Sequence, residues 1–155
     1  MRRADREVTD REEIESILER ATVCRLGMCA DGEPYVVPLS FGYVDGRLYF
    51  HSASEGKKLD ILRGNGKVCF EVDVDTEVIP AKSPCGWGMR YASVIGFGTA
   101  SIVEDLDEKR SALDIIMTHY GGHGANYPAL MLRKVAIIRV DIENMTGKRS
   151  GQEER

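Results

Sequence analysis

A histidine, two serines and two lysines fall within the short run "HSASEGKK" (His51–Lys58). This mixture suits an anion. Ser52 offers a hydroxyl donor, Ala53 and Gly56 are small enough to let a ligand reach the backbone, and Lys57 and Lys58 supply compact positive charge. If Ser54 caps a helix whose first turn holds Glu55, Gly56 and Lys57, the free N–H groups of that turn add to the attraction. The run then cradles a phosphate just past the end of a strand. A solvated helix start with two surface lysines accounts for the same residues, and at this level both readings stand. His51 closes the strand before the cradle. A lone histidine is commonly a satisfied structural residue, but its neighbours here, and the way an imidazole can gain and lose a proton near neutral pH, suit a proton donor or substrate contact.

Other motifs carry less. "GFGTAS" (96–101) imitates a dinucleotide fingerprint, but "SIVED" continues as strand where that fingerprint needs a helix. Its glycines read as a bend or bulge. "HYGGHG" (119–124) offers two histidines whose spacing specifies no metal, and a helix stop is the better account. Cys24, Cys29, Cys69 and Cys85 show no CxxC pair and no compact zinc spacing, so no metal site is expected and reduced, mostly buried thiols are. A cysteine–histidine metal protein stands as a rival reading. No GxSxG elbow or other nucleophile appears.

The chain of 155 residues carries a net charge of −4, which argues against a nucleic-acid partner. No apolar run approaches the roughly 20 residues of a membrane helix, and no h-region follows the N-terminal arginines, so a cytoplasmic protein without membrane contact is expected. One domain over 1–155 is expected, with a core at about 5–143 and a frayed polar tail at 146–155.

The elements that position the cradle are mostly strands. Thr9 and Glu12 have capping-box spacing before a helix over about 10–20, with Ile14, Ile17 and Leu18 on one face. "TVCRLGMC" (22–29), "PYVVPLSFGYV" (34–44) and "LYFHS" (48–52) form a meander joined by two Asp-Gly turns. Pro38 implies an edge or bulge in the second strand. A short helix at 56–65, a strand at 67–75, a loop at 76–87, a long strand at 89–105, a helix at 107–120 and a last, central strand at 134–145 complete the pattern. Leu106, Leu113, Met117 and Tyr120 fall on one stripe of the second long helix. Six mostly antiparallel strands with peripheral helices suggest a closed barrel, an α+β protein that is mainly β.

The ordered set "PYVVPLSF…DGRLYFHSA…GKK…RYASVIGFG" resembles the pyridoxamine-phosphate-oxidase-like flavoproteins, within them the nitroimidazole-resistance reductase branch, over about residues 5–143. The resemblance implies a split β-barrel and a homodimer holding two FMN molecules at its interface. By position, Val37, Pro38, Leu39 and Ser40 would line the flavin ring, and His51, Ser52 and Ala53 would pass the ring and ribityl chain. Lys57 and Lys58 would meet the phosphate. Tyr91 and Ser93, with Trp87 a further candidate, would come from the other subunit. It further implies an FMN-dependent oxidoreductase, fed by a nicotinamide donor, reducing a small planar acceptor such as a nitroaromatic near His51. A flavin carrier or sensor, or pyridoxamine 5'-phosphate oxidase-like activity, is the alternative. The C-terminal strand "AIIRVDIENMTGKRSG" lacks the "W…R…R" run of the oxidases proper, which argues against pyridoxamine-phosphate oxidation itself.

Overall fold

The computed structural model describes residues 4–124 and 126–151. In chain order it holds β1 (Glu7–Val8), α1 (Arg11–Arg20), β2 (Cys24–Ala30), β3 (Glu33–Leu39), β4 (Phe41–Val44), β5 (Arg47–Ala53) and α2 (Lys57–Gly64). There follow β6 (Lys67–Ile79), β7 (Gly88–Val103), α3 (Leu106–His119), α4 (Ala129–Leu132) and β8 (Val135–Ser150). The Asp-Gly turns form as expected: Asp31 and Gly32 take φ of 51° and 80°, Asp45 and Gly46 of 46° and 75°. Positive φ at both central residues gives a two-residue turn the twist its strands need.

The described strands number eight rather than six, in the order β3-β2-β6-β7-β8-β5-β4, with β1 added on β8. All pairings are antiparallel. The segment expected as one strand at 34–44 breaks at Ser40 because it serves two neighbours. Its first half pairs with β2 and its second with β5. Phe41 opens the second half by donating its N–H to the Tyr120 hydroxyl, 3.1 Å away. β3 and β4 thus end the order on opposite sides with no ladder between them, so the sheet is not closed. The expected closed barrel is corrected to a split one. Pro38 lies in β3, an edge strand, where its missing N–H is tolerated.

Other boundaries moved for identifiable reasons. Asp10, not Thr9, caps α1, accepting from the Glu12 N–H at 2.9 Å. The expected loop from residue 76 is instead a bulge around Asp75 (φ 56°), after which Glu77–Ile79 pair with Gly88–Arg90 in a two-stranded arm. The tail is ordered through Ser150, because Lys148 is paired on one side with Ser93 and on the other with Glu7. Polarity at those positions reflects exposed side chains, not a free backbone. On α3 the buried residues are Lys109, Ala112 and Ile116; of the stripe, Leu106 and Leu113 are half-buried, with Leu113 against the core, while Met117 and Tyr120 are exposed. Gly121 (φ 75°) ends that helix, and the Gly122 N–H reaches back to the Met117 carbonyl at 2.8 Å.

The interior is lined by Phe41, Phe50, Phe70, Leu26, Leu48 and Leu59. The β7–β8 register shifts between Phe97 and Gly98, the region where the glycines implied a bend or bulge, but the extra residue, Glu143, lies on β8. Gly96 is bare for a packing reason: a Cβ there would run into the Phe70 ring and crowd the Asn144 carbonyl oxygen at 3.0 Å. Gly96→Ala is expected to cost about 1–3 kcal/mol by overpacking. Urea midpoints check it, with Gly96→Ala/Phe70→Leu losing less than the two single changes added together.

Candidate functional site

The run from His51 to Lys58 spans the junction of β5 and α2. Strand alternation sends Leu48, Phe50 and Ser52 inward and leaves His51 and Ala53 exposed on the other face. The chain then turns at Gly56, whose φ of 137° is open to glycine, so Gly56 rather than Ser54 is the N-cap and no side chain caps the helix. The Gly56 carbonyl accepts from the N–H groups of Leu59 (2.9 Å) and Asp60 (3.2 Å). The N–H groups of Lys57 and Lys58 precede these first helical donors and so have no partner within the helix. Leu59, Ile61 and Leu62 are buried and fix the helix to the core.

Charge collects on this turn. Lys57 is exposed, its Nζ 4.6 Å from the Tyr35 ring centre and 3.7 Å from the Glu33 carboxylate. Both members of that pair are largely exposed, so it is worth little and yields readily to a stronger anion. Lys58 is half-buried and has no ion-pair partner among the described residues. The Ser52 hydroxyl is buried with no hydrogen-bond partner, a condition native proteins seldom leave unexplained. Tyr35 and Glu33 were missed from the sequence, since only the fold brings β3 beside the start of α2.

Along β3, Val37 and Leu39 pack against the core, while Pro38 and Ser40 are exposed. Tyr91 and Ser93 do not join the cluster within one chain. On β8, the partners of His51 and Ser93 are Ile137 and Lys148, eleven positions and about 36 Å of extended strand apart. Ser93 is buried, Tyr91 carries the Lys148 Nζ 5.7 Å from its ring centre, and Trp87 is exposed just before β7. The β7 face that bears Tyr91 and Ser93 also carries Ile95 and Phe97, 47% and 52% exposed. Phe97 continues across the sheet through Cys69 and Gly27 to Val36, itself 60% exposed. An apolar outer row results.

The remaining histidines and thiols have other settings. His119 lies 2.7 Å by Nε2 from the Ala21 carbonyl oxygen and packs 4.4 Å from the Phe41 ring, a structural role. Among the described residues no three His, Cys, Asp or Glu side chains converge as a metal site. Burial pushes the Cys24 thiol up to about 12, whereas Cys69 and Cys85 are exposed, against the expectation of mostly buried thiols. Native protein is expected to react with a disulfide reagent at Cys85 first and at Cys24 only after denaturation, as peptide mapping would show. Shifted carboxylates lie away from the cradle. A hydrogen bond from Tyr43 holds Glu15 below the ordinary range, and burial lifts Glu71 above it.

A family model for pyridoxamine 5'-phosphate oxidase matches residues 10–149. The chain belongs to the pyridoxamine 5'-phosphate oxidase family. Among solved structures of this family's fold, a candidate 5-nitroimidazole antibiotic resistance protein from Bacteroides thetaiotaomicron is 38% identical, over 92% of this chain and 86% of that one, with a TM-score of 0.83. An FAD-binding protein from Mesorhizobium loti is 26% identical over 94% and 98% of the two chains, TM-score 0.69. An FAD- and heme-binding protein from Mycobacterium smegmatis, 23% identical over 97% and 76%, shares the fold at a TM-score of 0.82. An uncharacterized Rhizobium meliloti protein is 35% identical over 65 residues, a match that spans 42% of each chain, less than half the length of that relative. No described helix is long and apolar enough to cross a membrane.

Proposed function

We propose that this member of the pyridoxamine 5'-phosphate oxidase family is a cytoplasmic FMN-dependent reductase of small planar acceptors such as nitroaromatics, working as a homodimer with a flavin at each interface. The observation that carries the proposal is the β5–α2 junction: two lysines and N–H groups without a helical partner at the helix start, preceded by the orphaned, buried Ser52 hydroxyl near the end of β5. A single terminal phosphate fits that donor set: Lys57 and Lys58 match its charge, and the turn at Gly56 lets it approach the backbone. Likeness to a candidate 5-nitroimidazole resistance protein supports the acceptor class, and likeness to an FAD-binding protein supports a flavin. Four free cysteines fit a reducing compartment.

When bound, the flavin ring supplies the electron and hydride chemistry. The protein's residues do the rest. β3 is an edge strand, and its free edge along Val37–Leu39, with Ser40 at the break before β4, offers contacts to a planar ring. His51, exposed at the strand end, is placed to hand a proton to an acceptor or to hold it. Tyr91 and Ser93 serve the site of a second copy, since their own chain holds them far from its cradle. That copy would also cover the apolar row at Ile95, Phe97 and Val36.

Anaerobic reduction of flavin-loaded protein by a nicotinamide nucleotide, followed by addition of a nitroaromatic, tests the activity. Turnover is expected, and His51→Ala should lower kcat while flavin content is kept. Failure of every acceptor to reoxidise the protein catalytically would leave a carrier instead of a reductase.

A further inference from the structure

Two cations outside the cradle emerge at the same end of the barrel. Ala53, the last residue of β5, is the register partner of Val135, the first of β8. The chain entering β8 through Arg133 and Lys134 therefore runs beside the chain leaving β5 toward Lys57 and Lys58. Arg133 and Lys134 are exposed, and among the described residues neither side chain has a hydrogen-bond or ion-pair partner. Their backbone is nonetheless held. The Arg133 and Lys134 N–H groups donate to the Ala129 and Met131 carbonyls at 3.1 and 3.0 Å. Beneath them the buried Lys109 donates from Nζ to the Val135 carbonyl at 3.0 Å and the Leu132 carbonyl at 3.5 Å. A third cation thus stabilises the segment without neutralising it. The run 51–58 contributes one acid, Glu55.

Among the described residues Lys58, Arg133 and Lys134 have no carboxylate partner and lie at one end of the sheet of an acidic chain; Arg25, Arg47 and Lys67 have such partners, while Lys82 and Lys148, which also lack one, lie apart from this end. One phosphate occupies Lys57 and Lys58 in the flavin reading, on which this inference rests. That leaves the second basic pair uncompensated. We propose that Arg133 and Lys134 form a second phosphate subsite, so that the site takes a ligand with more than one phosphate, a dinucleotide. The second phosphate comes either from the adenylyl half of FAD replacing FMN, or from the nicotinamide donor arriving at flavin-loaded protein.

Affinities for FMN and FAD, and the KM for NADPH with FMN-loaded protein, are to be measured for the wild type and for Arg133→Ala/Lys134→Ala. FMN affinity should stay within about twofold, because Lys57 and Lys58 are untouched. Loss of about tenfold or more in FAD affinity assigns the subsite to the flavin, and a similar rise in KM for NADPH assigns it to the donor. Arg133→Glu/Lys134→Glu should deepen the same loss, and added salt should weaken the wild-type interaction more than that of the alanine variant. If FMN binds and neither FAD affinity nor KM moves, the second subsite is wrong and the cradle stands. If wild-type protein binds no flavin at all, the proposed function falls and takes the subsite with it.

Discussion

Lys57→Ala/Lys58→Ala is expected to weaken FMN binding about 100-fold or more while leaving the fold intact. A hydrogen bond to a charged group contributes about 1.5–3 kcal/mol, so removing each lysine from a phosphate costs about tenfold at the lower end. Lys57 is exposed and belongs at that lower end; Lys58 is half-buried, less screened, and should matter more. The competing Glu33 contact subtracts little, because both partners stay in water. Stability should hardly change, since α2 is fixed by Leu59, Ile61 and Leu62 and neither lysine is part of that packing. Flavin fluorescence titration gives the affinity and circular dichroism the fold. Unchanged affinity in a folded variant would remove the cradle from the account.

If the protein is the proposed dimer, Ile95→Asp/Phe97→Asp is expected to turn it into monomers and to abolish flavin retention at the same time. Both side chains stand about half exposed on the outer face and take no part in the core. The isolated fold therefore tolerates the change. Two carboxylates pressed into an apolar interface would each cost several kcal/mol, more than a face of about 800 Å² per partner can absorb. In the proposed shared site, flavin binding would fall with the dimer, because Tyr91 and Ser93 share that face and lie far along β8 from their own chain's cradle. A mixing experiment separates this from simple damage. Protein lacking Lys57 and Lys58, combined with protein carrying Tyr91→Ala/Ser93→Ala, should regain one working site per hybrid dimer. Persistence of a flavin-loaded dimer in the aspartate variant would contradict the shared site.

The parts of the fold governed by local chemistry were legible in the sequence. Asp-Gly turns, the edge placement of Pro38 and the helix stop at Gly121 each depend on a few adjacent residues. What the sequence hid was decided by partners distant along the chain. Ser40 looked like mid-strand because nothing near it reveals that β3 and β4 pair with opposite ends of the sheet. The polar residues 146–150 looked frayed because their order comes from β7 and β1. Lys109 lies on the buried face of α3 because the carbonyls of Leu132 and Val135 await it, a compensation invisible to periodicity. At the site, the run His51–Lys58 showed its character in its own composition. The helix start moved to Gly56 because a backbone conformation open to glycine won over a serine cap.

The most direct measurement is the visible spectrum of freshly purified protein, with the mass of whatever chromophore heat releases. A yellow preparation that yields FMN, at one flavin per chain, is the predicted result. A colourless protein that stays colourless and unquenched through titration with FMN and FAD would contradict a flavin held at the β5–α2 turn.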